Sequence, residues 1–104
     1  MIFIETFIFT KEIKKLVPDD EYRKLRQDLM LRPTAGKLIK GSGGLRKIRW
    51  NAPGEGKRGG LRIIYYWDSP DKIYMLFPYK KAEQEDLTPA QIRILKKLLK
   101  EFLS

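Results

Sequence analysis

The sequence predicts an α+β fold in the order β-α-α-β-β-β-α, a small antiparallel twisted sheet with helices packed on one face. Three observations predict it. The runs IFIETFIF, LRKIRW, LRIIYYW and KIYMLFPY are rich in β-branched and aromatic residues, the composition of strands. Amphipathic stretches with helix-start signals lie between the first and second runs and after the fourth. The last three runs follow one another across Gly-, Pro- and Asp-bearing connections, so they read as an antiparallel meander with the first strand added to it. A length of 104 residues suits one domain, spanning 1–104, with one modest core.

Residues 2–8, within IFIETFIF, are expected to form the first strand, largely buried. Thr10 is expected to cap a short helix to Leu16, with Ile13, Leu16 and Val17 on its inner side. Pro18-Asp19-Asp20-Glu21 opens a second helix, with acids in the first turn where the helix dipole favours them. Tyr22, Leu25 and Leu29 follow as an apolar stripe, and Arg32-Pro33 stops the helix. Residues 10–32 thus form a helical hairpin on one side of the sheet. Residues 34–44 read as a loop with a brief extended stretch at Leu38-Ile39, residues 45–50 as a strand and 51–60 as a glycine-rich connection. Residues 61–67 are the strongest strand, Asp68-Ser69-Pro70-Asp71 is a turn, and 72–79 are the last strand. Pro78 lacks an amide donor and is expected to end that strand or bulge it. Thr88-Pro89-Ala90-Gln91 is a capping box with proline at the first helical position, and Leu87 and Ile92 occupy its staple positions. Ile92, Leu95, Leu99 and Phe102 form the stripe of the last helix.

The charge is as informative as the pattern. There are 22 Lys+Arg against 13 Asp+Glu, a formal net charge of +9, which favours an anionic partner: nucleic acid, an acidic protein or a membrane surface. Between Gly36 and Arg62 stand Lys37, Lys40, Arg46, Lys47, Arg49, Lys57, Arg58 and Arg62 against the single acid Glu55. All 8 glycines fall in the same window, so a packed frame surrounds a cationic, glycine-rich middle. The chain has no cysteine and no histidine, which excludes disulfides, Cys/His zinc sites and Ser-His-Asp or Cys-His catalysis. Any acid–base chemistry falls to Lys, Arg, Tyr, Asp or Glu. The acids are scattered, so no metal-binding carboxylate cluster is expected. The N-terminal run has its cations after the apolar residues, the wrong order for a signal peptide, and no apolar stretch approaches the ~20 residues of a membrane span. A cytoplasmic protein with no membrane partner is expected.

Strand alternation places the cations. In LRKIRW, Lys47 and Arg49 point to one face, with Arg46, Ile48 and Trp50 on the other. If LRKIRW and LRIIYYW form a hairpin with Trp50 opposite Leu61, Arg49 lies opposite Arg62, and like charges directly opposed repel. A bound anion would relieve that repulsion. On pattern alone the face is either a phosphate-sized pocket or a solvated outer surface. Tyr79-Lys80-Lys81 brings a phenol and amines to the end of the sheet, or is an ordinary basic strand terminus. Lys57-Arg58-Gly59-Gly60 is one step of an RGG-like loop, and Lys40, Arg46 and Lys80 add cations able to contact nucleic-acid phosphates. Gly56-Lys57 lacks the Ser or Thr of a phosphate loop, and Gly41-Ser42-Gly43 lacks the third glycine of a dinucleotide fingerprint.

The strings KLIKGSGGLRKIRW, GEGKRGGLRIIYYW and YKKAEQEDLTPAQ resemble the RelE/ParE toxin superfamily, with the HigB-like branch of RelE toxins the nearest likeness. The resemblance covers nearly the whole chain and is most specific in GGLRKIRW and GKRGGLRIIYY. It implies a RelE-like microbial RNase fold and the toxin of a type II toxin–antitoxin pair. It further implies an endoribonuclease that enters the ribosomal A site and cuts mRNA there by attack of the ribose 2′-hydroxyl, without metal or other cofactor. The implied partner is a cognate antitoxin of the small helix-turn-helix DNA-binding kind. Lys47 and Arg49 match the family's basic pair, Arg62 its phosphate-holding arginine, and Lys81 the basic residue that protonates the leaving 5′-oxygen. Tyr79 matches a tyrosine of the HigB-like branch. Arg49 stands where studied members have lysine, and Leu87 where they have tyrosine, so the general base is open between Tyr79, Lys47 and assistance from phosphate or rRNA. A ParE-like gyrase inhibitor on the same fold and a non-catalytic basic RNA-binding module are the competing readings.

Overall fold

The computed structural model describes residues 1–51 and 60–104. Its elements are β1 (Ile2–Glu5), α1 (Phe7–Leu16), α2 (Asp19–Leu31), β2 (Lys37–Leu38), β3 (Arg46–Trp50), β4 (Leu61–Asp68), β5 (Lys72–Lys80) and α3 (Pro89–Leu103). The strands form one sheet in the order β1-β5-β4-β3-β2, with β1 parallel to β5 and the other pairs antiparallel. The fold is α+β, as the patterning predicts. Among the described residues no helix is long and apolar enough to cross a membrane.

The start of the chain differs from expectation. The strand ends at Glu5, and the helix cap is Thr6, not Thr10. The Thr6 hydroxyl accepts from the Phe9 amide at 3.0 Å and donates to the Leu76 carbonyl at 2.8 Å. Capping there turns FIFTKEIKKL into a helix that buries Phe9 and Ile13 at i, i+4 while Phe7 stays 86% exposed. A short apolar run carries both periods, and burial of Phe9 decides for the helix.

The helices also pack differently from the one-sided layer the pattern suggests. Phe9, Ile13, Tyr22, Leu25 and Leu29 of α1 and α2 cover Ile48, Ile63, Tyr65, Ile73 and Met75. Leu95 and Leu99 of α3, with Leu87, pack with Leu45, Ile64, Tyr74 and Leu76 on the opposite face. β4 is therefore covered on both sides, which is why LRIIYYW reads as a continuous apolar run rather than an alternation. The predicted capping box of α3 forms, with Thr88 and Gln91 exchanging side-chain and backbone bonds.

Two further differences shape the cationic face. Lys37–Leu38 forms a fifth, edge strand beside β3 that covers only Arg46 and Lys47. β5 runs through Pro78 to Lys80, and its irregularity lies at Leu76, where Ile64 faces Phe77 and Tyr65 faces Met75. β1 pairs only with Lys72–Met75, so at Pro78 one side of β5 has no strand neighbour and a missing amide is tolerated. The extra residue shifts side-chain parity by one beyond it. Tyr79 thereby lies opposite Arg62 on the α3 face, and Lys80 lies opposite Leu61 on the other.

Candidate anion-binding cleft

The expected register forms: Trp50 pairs with Leu61 and Arg49 with Arg62. A second like-charge pair, Lys37 opposite Lys47, lies next to it in the sheet. Two directly opposed cation pairs on adjacent strands repel, and no carboxylate lies between them in the ladder. Lys37, Lys47, Arg49, Arg62 and Lys81 all line one cleft of about 570 Å³. Arg62 is its floor. It is only 5% exposed, and its Nη1 reaches nothing better than the Leu61 carbonyl at 3.5 Å. Among the described residues it forms no ion pair, so a buried guanidinium stands beside a second guanidinium with most of its donors unused.

Three acids, Asp28, Glu85 and Asp86, share the lining, and Asp86 is the one paired with a cleft cation among the described residues. Asp86 Oδ1 meets Lys47 Nζ at 3.2 Å and accepts from the Leu87 amide at 2.9 Å. Partial burial pushes the Asp86 carboxyl up, but the Leu87 amide and the Lys47 ammonium outweigh it, and the group sits below the ordinary carboxylate value. Tyr79 is buried beside Arg62, and its hydroxyl has no hydrogen-bond partner among the described residues. Burial and the Asp86 charge push its phenol up, against a smaller pull from Arg62, so it stays protonated well into the alkaline range.

A family model described as the RelE toxin of the RelE / RelB toxin-antitoxin system matches residues 6–104. The chain belongs to the RelE toxin family. It is thus a toxin of the toxin–antitoxin type, and membership implies an antitoxin partner.

In this RelE-family toxin the structure brings together four of the five residues predicted for the chemistry, Lys47, Arg49, Arg62 and Lys81, along one cleft. The fifth, Tyr79, sits behind Arg62 rather than on the cleft lining. The cations predicted to contact nucleic acid fare unevenly. Lys40 is exposed on the turn after β2, away from the cleft lining. Arg46 points to the opposite face and holds the loop before β2, donating to Gly36 O at 2.8 Å and Thr34 O at 3.4 Å. Lys80 faces α1, beside Glu12 and Leu16. Lys57 and Arg58 lie outside the described residues.

Sequence reasoning missed Lys37, Asp86, Asp28, Arg32 and Trp50, which also line the cleft. Lys37 was legible as part of the charge run but not as a strand residue. Asp28 and Arg32 lie in and just after the last turn of α2, where an i, i+4 pair would ordinarily be read as a surface contact. The loop that carries Lys37 is pinned from below: Tyr65 Oη donates to Pro33 O and accepts from Gly36 N, both at 2.8 Å. Gly36 must be glycine for this approach, since a Cβ there would meet Tyr65 Cε1 at 2.7 Å.

Proposed function

We propose that this toxin is a ribosome-dependent mRNA endoribonuclease that holds the scissile phosphate in the cleft. The observation that carries the reading is the pair of opposed cation pairs around buried Arg62, which has no ion-pair partner among the described residues. A free protein gains nothing from that arrangement, whereas a bound phosphate relieves the repulsion and satisfies the guanidinium donors. The volume suits a nucleotide or two rather than a duplex, in keeping with a strand presented by the ribosome in the A site.

In the proposed reaction the ribose 2′-oxygen attacks the adjacent phosphorus and the bond from phosphorus to the 5′-oxygen breaks. The products are a 2′,3′-cyclic phosphate and a 5′-hydroxyl. Arg62, with Arg49 beside it, stabilises the charge that builds on the non-bridging oxygens, and Lys81 delivers the proton to the leaving 5′-oxygen. Tyr79, held as the phenol and buried behind Arg62, backs the guanidinium rather than accepting a proton. Lys47 is engaged by Asp86, and guanidinium groups scarcely deprotonate. The 2′ proton therefore passes to a non-bridging phosphate oxygen, and the ribosome supplies in-line positioning. The retained Lys47, Arg62, Tyr79 and Lys81 support the HigB-like RNA-cleaving branch over a gyrase inhibitor, and the +9 chain suits an acidic or helix-turn-helix antitoxin.

Induction of the protein in cells, with primer extension on abundant transcripts, tests the reading. Translation arrest with cuts inside codons, lost in Arg62→Ala, is the expected result. Arrest with intact mRNA and DNA-damage signalling favours the gyrase reading, and harmless expression favours a plain RNA-binding module.

A further inference from the structure

The cleft does not stop at the cationic face. It continues around the edge of β3, where Asp28 and Arg32 of the α2 end, Ala35 and Trp50 complete its lining. This is possible because β2 covers β3 only at Arg46 and Lys47. The Ile39 amide donates to the Leu45 carbonyl at 2.8 Å, so the main-chain groups of Leu45 face the β2 side. Alternation along an antiparallel ladder puts those of Lys47 and Arg49 on the same side. Lys47 has Lys37 opposite it, but Arg49 has no strand partner there, and among the described residues no backbone bond is made to it from that side. An extended residue with both N–H and C=O open offers one donor and one acceptor side by side. Beside this edge the indole Nε1 of Trp50 is buried without a hydrogen-bond partner among the described residues. Asp28 is an acid on the lining that takes part in no ion pair among the described residues, unlike Asp86.

We propose that this limb of the cleft is a nucleobase subsite, taking the base of the nucleotide whose phosphate sits at Arg62. The inference rests on the phosphate reading of the cleft. The Arg49 main chain pairs with one acceptor and one donor on the base edge. Asp28, an acceptor only when ionised, selects bases that carry an exocyclic amino group over uracil, which has none. The Trp50 indole and Arg32 guanidinium supply flat surfaces at the rim, and the guanidinium its donors. Asp28 is thus a specificity residue remote from the reacting atoms.

Nuclear magnetic resonance titration of the purified protein with inorganic phosphate and with the 3′-monophosphates of guanosine, adenosine, cytidine and uridine tests this without a ribosome. Inorganic phosphate is expected to move the amides of the cationic face, Lys47, Arg49 and Arg62 among them. The amino-bearing nucleotides are expected to move the Asp28 amide and the Trp50 indole N–H as well, and to bind at least about fivefold tighter than the uridine nucleotide. Asp28→Asn is expected to erase that preference, with all four nucleotides then binding alike relative to inorganic phosphate. Phosphate binding with equal affinity for all four nucleotides and a still Trp50 indole overturns the subsite and leaves the phosphate reading standing. No shift with phosphate or any nucleotide overturns both. A preference that persists in Asp28→Asn overturns the assignment to Asp28.

Discussion

Replacing Arg62 by methionine is expected to stabilise the free protein while removing its function. The Cβ atoms of a directly opposed pair lie about 5 Å apart, and two unit charges held at about that distance repel by roughly 3 kcal/mol at an effective dielectric of about 20, an upper bound for heads that can diverge. Arg49 is exposed, so solvent and salt reduce the repulsion to about 1 kcal/mol. Arg62 also bears the desolvation of a group that is 5% exposed, without a carboxylate to offset it among the described residues. Methionine keeps the unbranched apolar stem against β4 and its neighbours and removes both costs. Buried ionic groups replaced by apolar residues of similar volume gain about 1–4 kcal/mol in favourable cases, so a gain of about 1–3 kcal/mol is expected here. In a domain of this size that raises Tm by roughly 4–8 °C per kcal/mol. Urea unfolding at low salt, with and without added phosphate, is the assay. Phosphate should stabilise the wild type, by about 2.7 kcal/mol at a hundredfold excess over Kd, and leave Arg62→Met unmoved. Destabilisation of the variant by more than about 1 kcal/mol, or equal stabilisation of both proteins by phosphate, refutes the reasoning: Arg62 would then be a structural residue.

Tyr65→Phe leaves the Gly36 amide and the Pro33 carbonyl without their hydroxyl partner, so a loss of about 1–3 kcal/mol in urea unfolding is expected, with faster hydrogen exchange at Gly36. Asp86→Asn frees Lys47 and is expected to tighten phosphate binding by about two- to fivefold in the same titration, since exposed ion pairs hold about 0.2–1 kcal/mol. Tyr22, Tyr65 and Tyr79 are all pushed above the ordinary phenol value of 10.0, each chiefly by burial, with the Glu5 carboxylate adding to the shift at Tyr22. A raised acid of this kind keeps its proton longer folded than unfolded, so its stabilising effect is whole below about pH 10 and is lost as pH rises beyond it. Alkaline titration should therefore show these phenols ionising late and together with unfolding, and Tyr22→Phe should flatten the fall in stability above pH 10.

Much of this was legible in the chain. The capping box at Thr88, the stripe Tyr22-Leu25-Leu29 and the opposition of Arg49 and Arg62 depend on local spacing and one hairpin register, and local rules suffice for those. What escaped depends on tertiary choices. Whether Thr6 or Thr10 caps α1 turns on whether Phe9 is buried, which needs the sheet beneath it. The bulge at Leu76 carries no glycine or other local mark, yet it decides that Tyr79 joins Arg62 and Lys80 does not. Pro78 drew attention to the right strand and the wrong residue. Asp86 and Asp28 reach the cleft from segments distant in sequence, so only the folded chain brings them to Lys47 and Trp50.

The most direct test of RNA cleavage in the cleft uses purified ribosomes programmed with a defined mRNA, the purified toxin, and mass spectrometry of the fragment ends. A 2′,3′-cyclic phosphate on the upstream fragment and a 5′-hydroxyl on the downstream one, formed only with ribosomes present and lost in Arg62→Met, is the predicted result. Ends bearing a 3′-hydroxyl and a 5′-phosphate, or intact mRNA beside a toxin that still arrests growth, would contradict it.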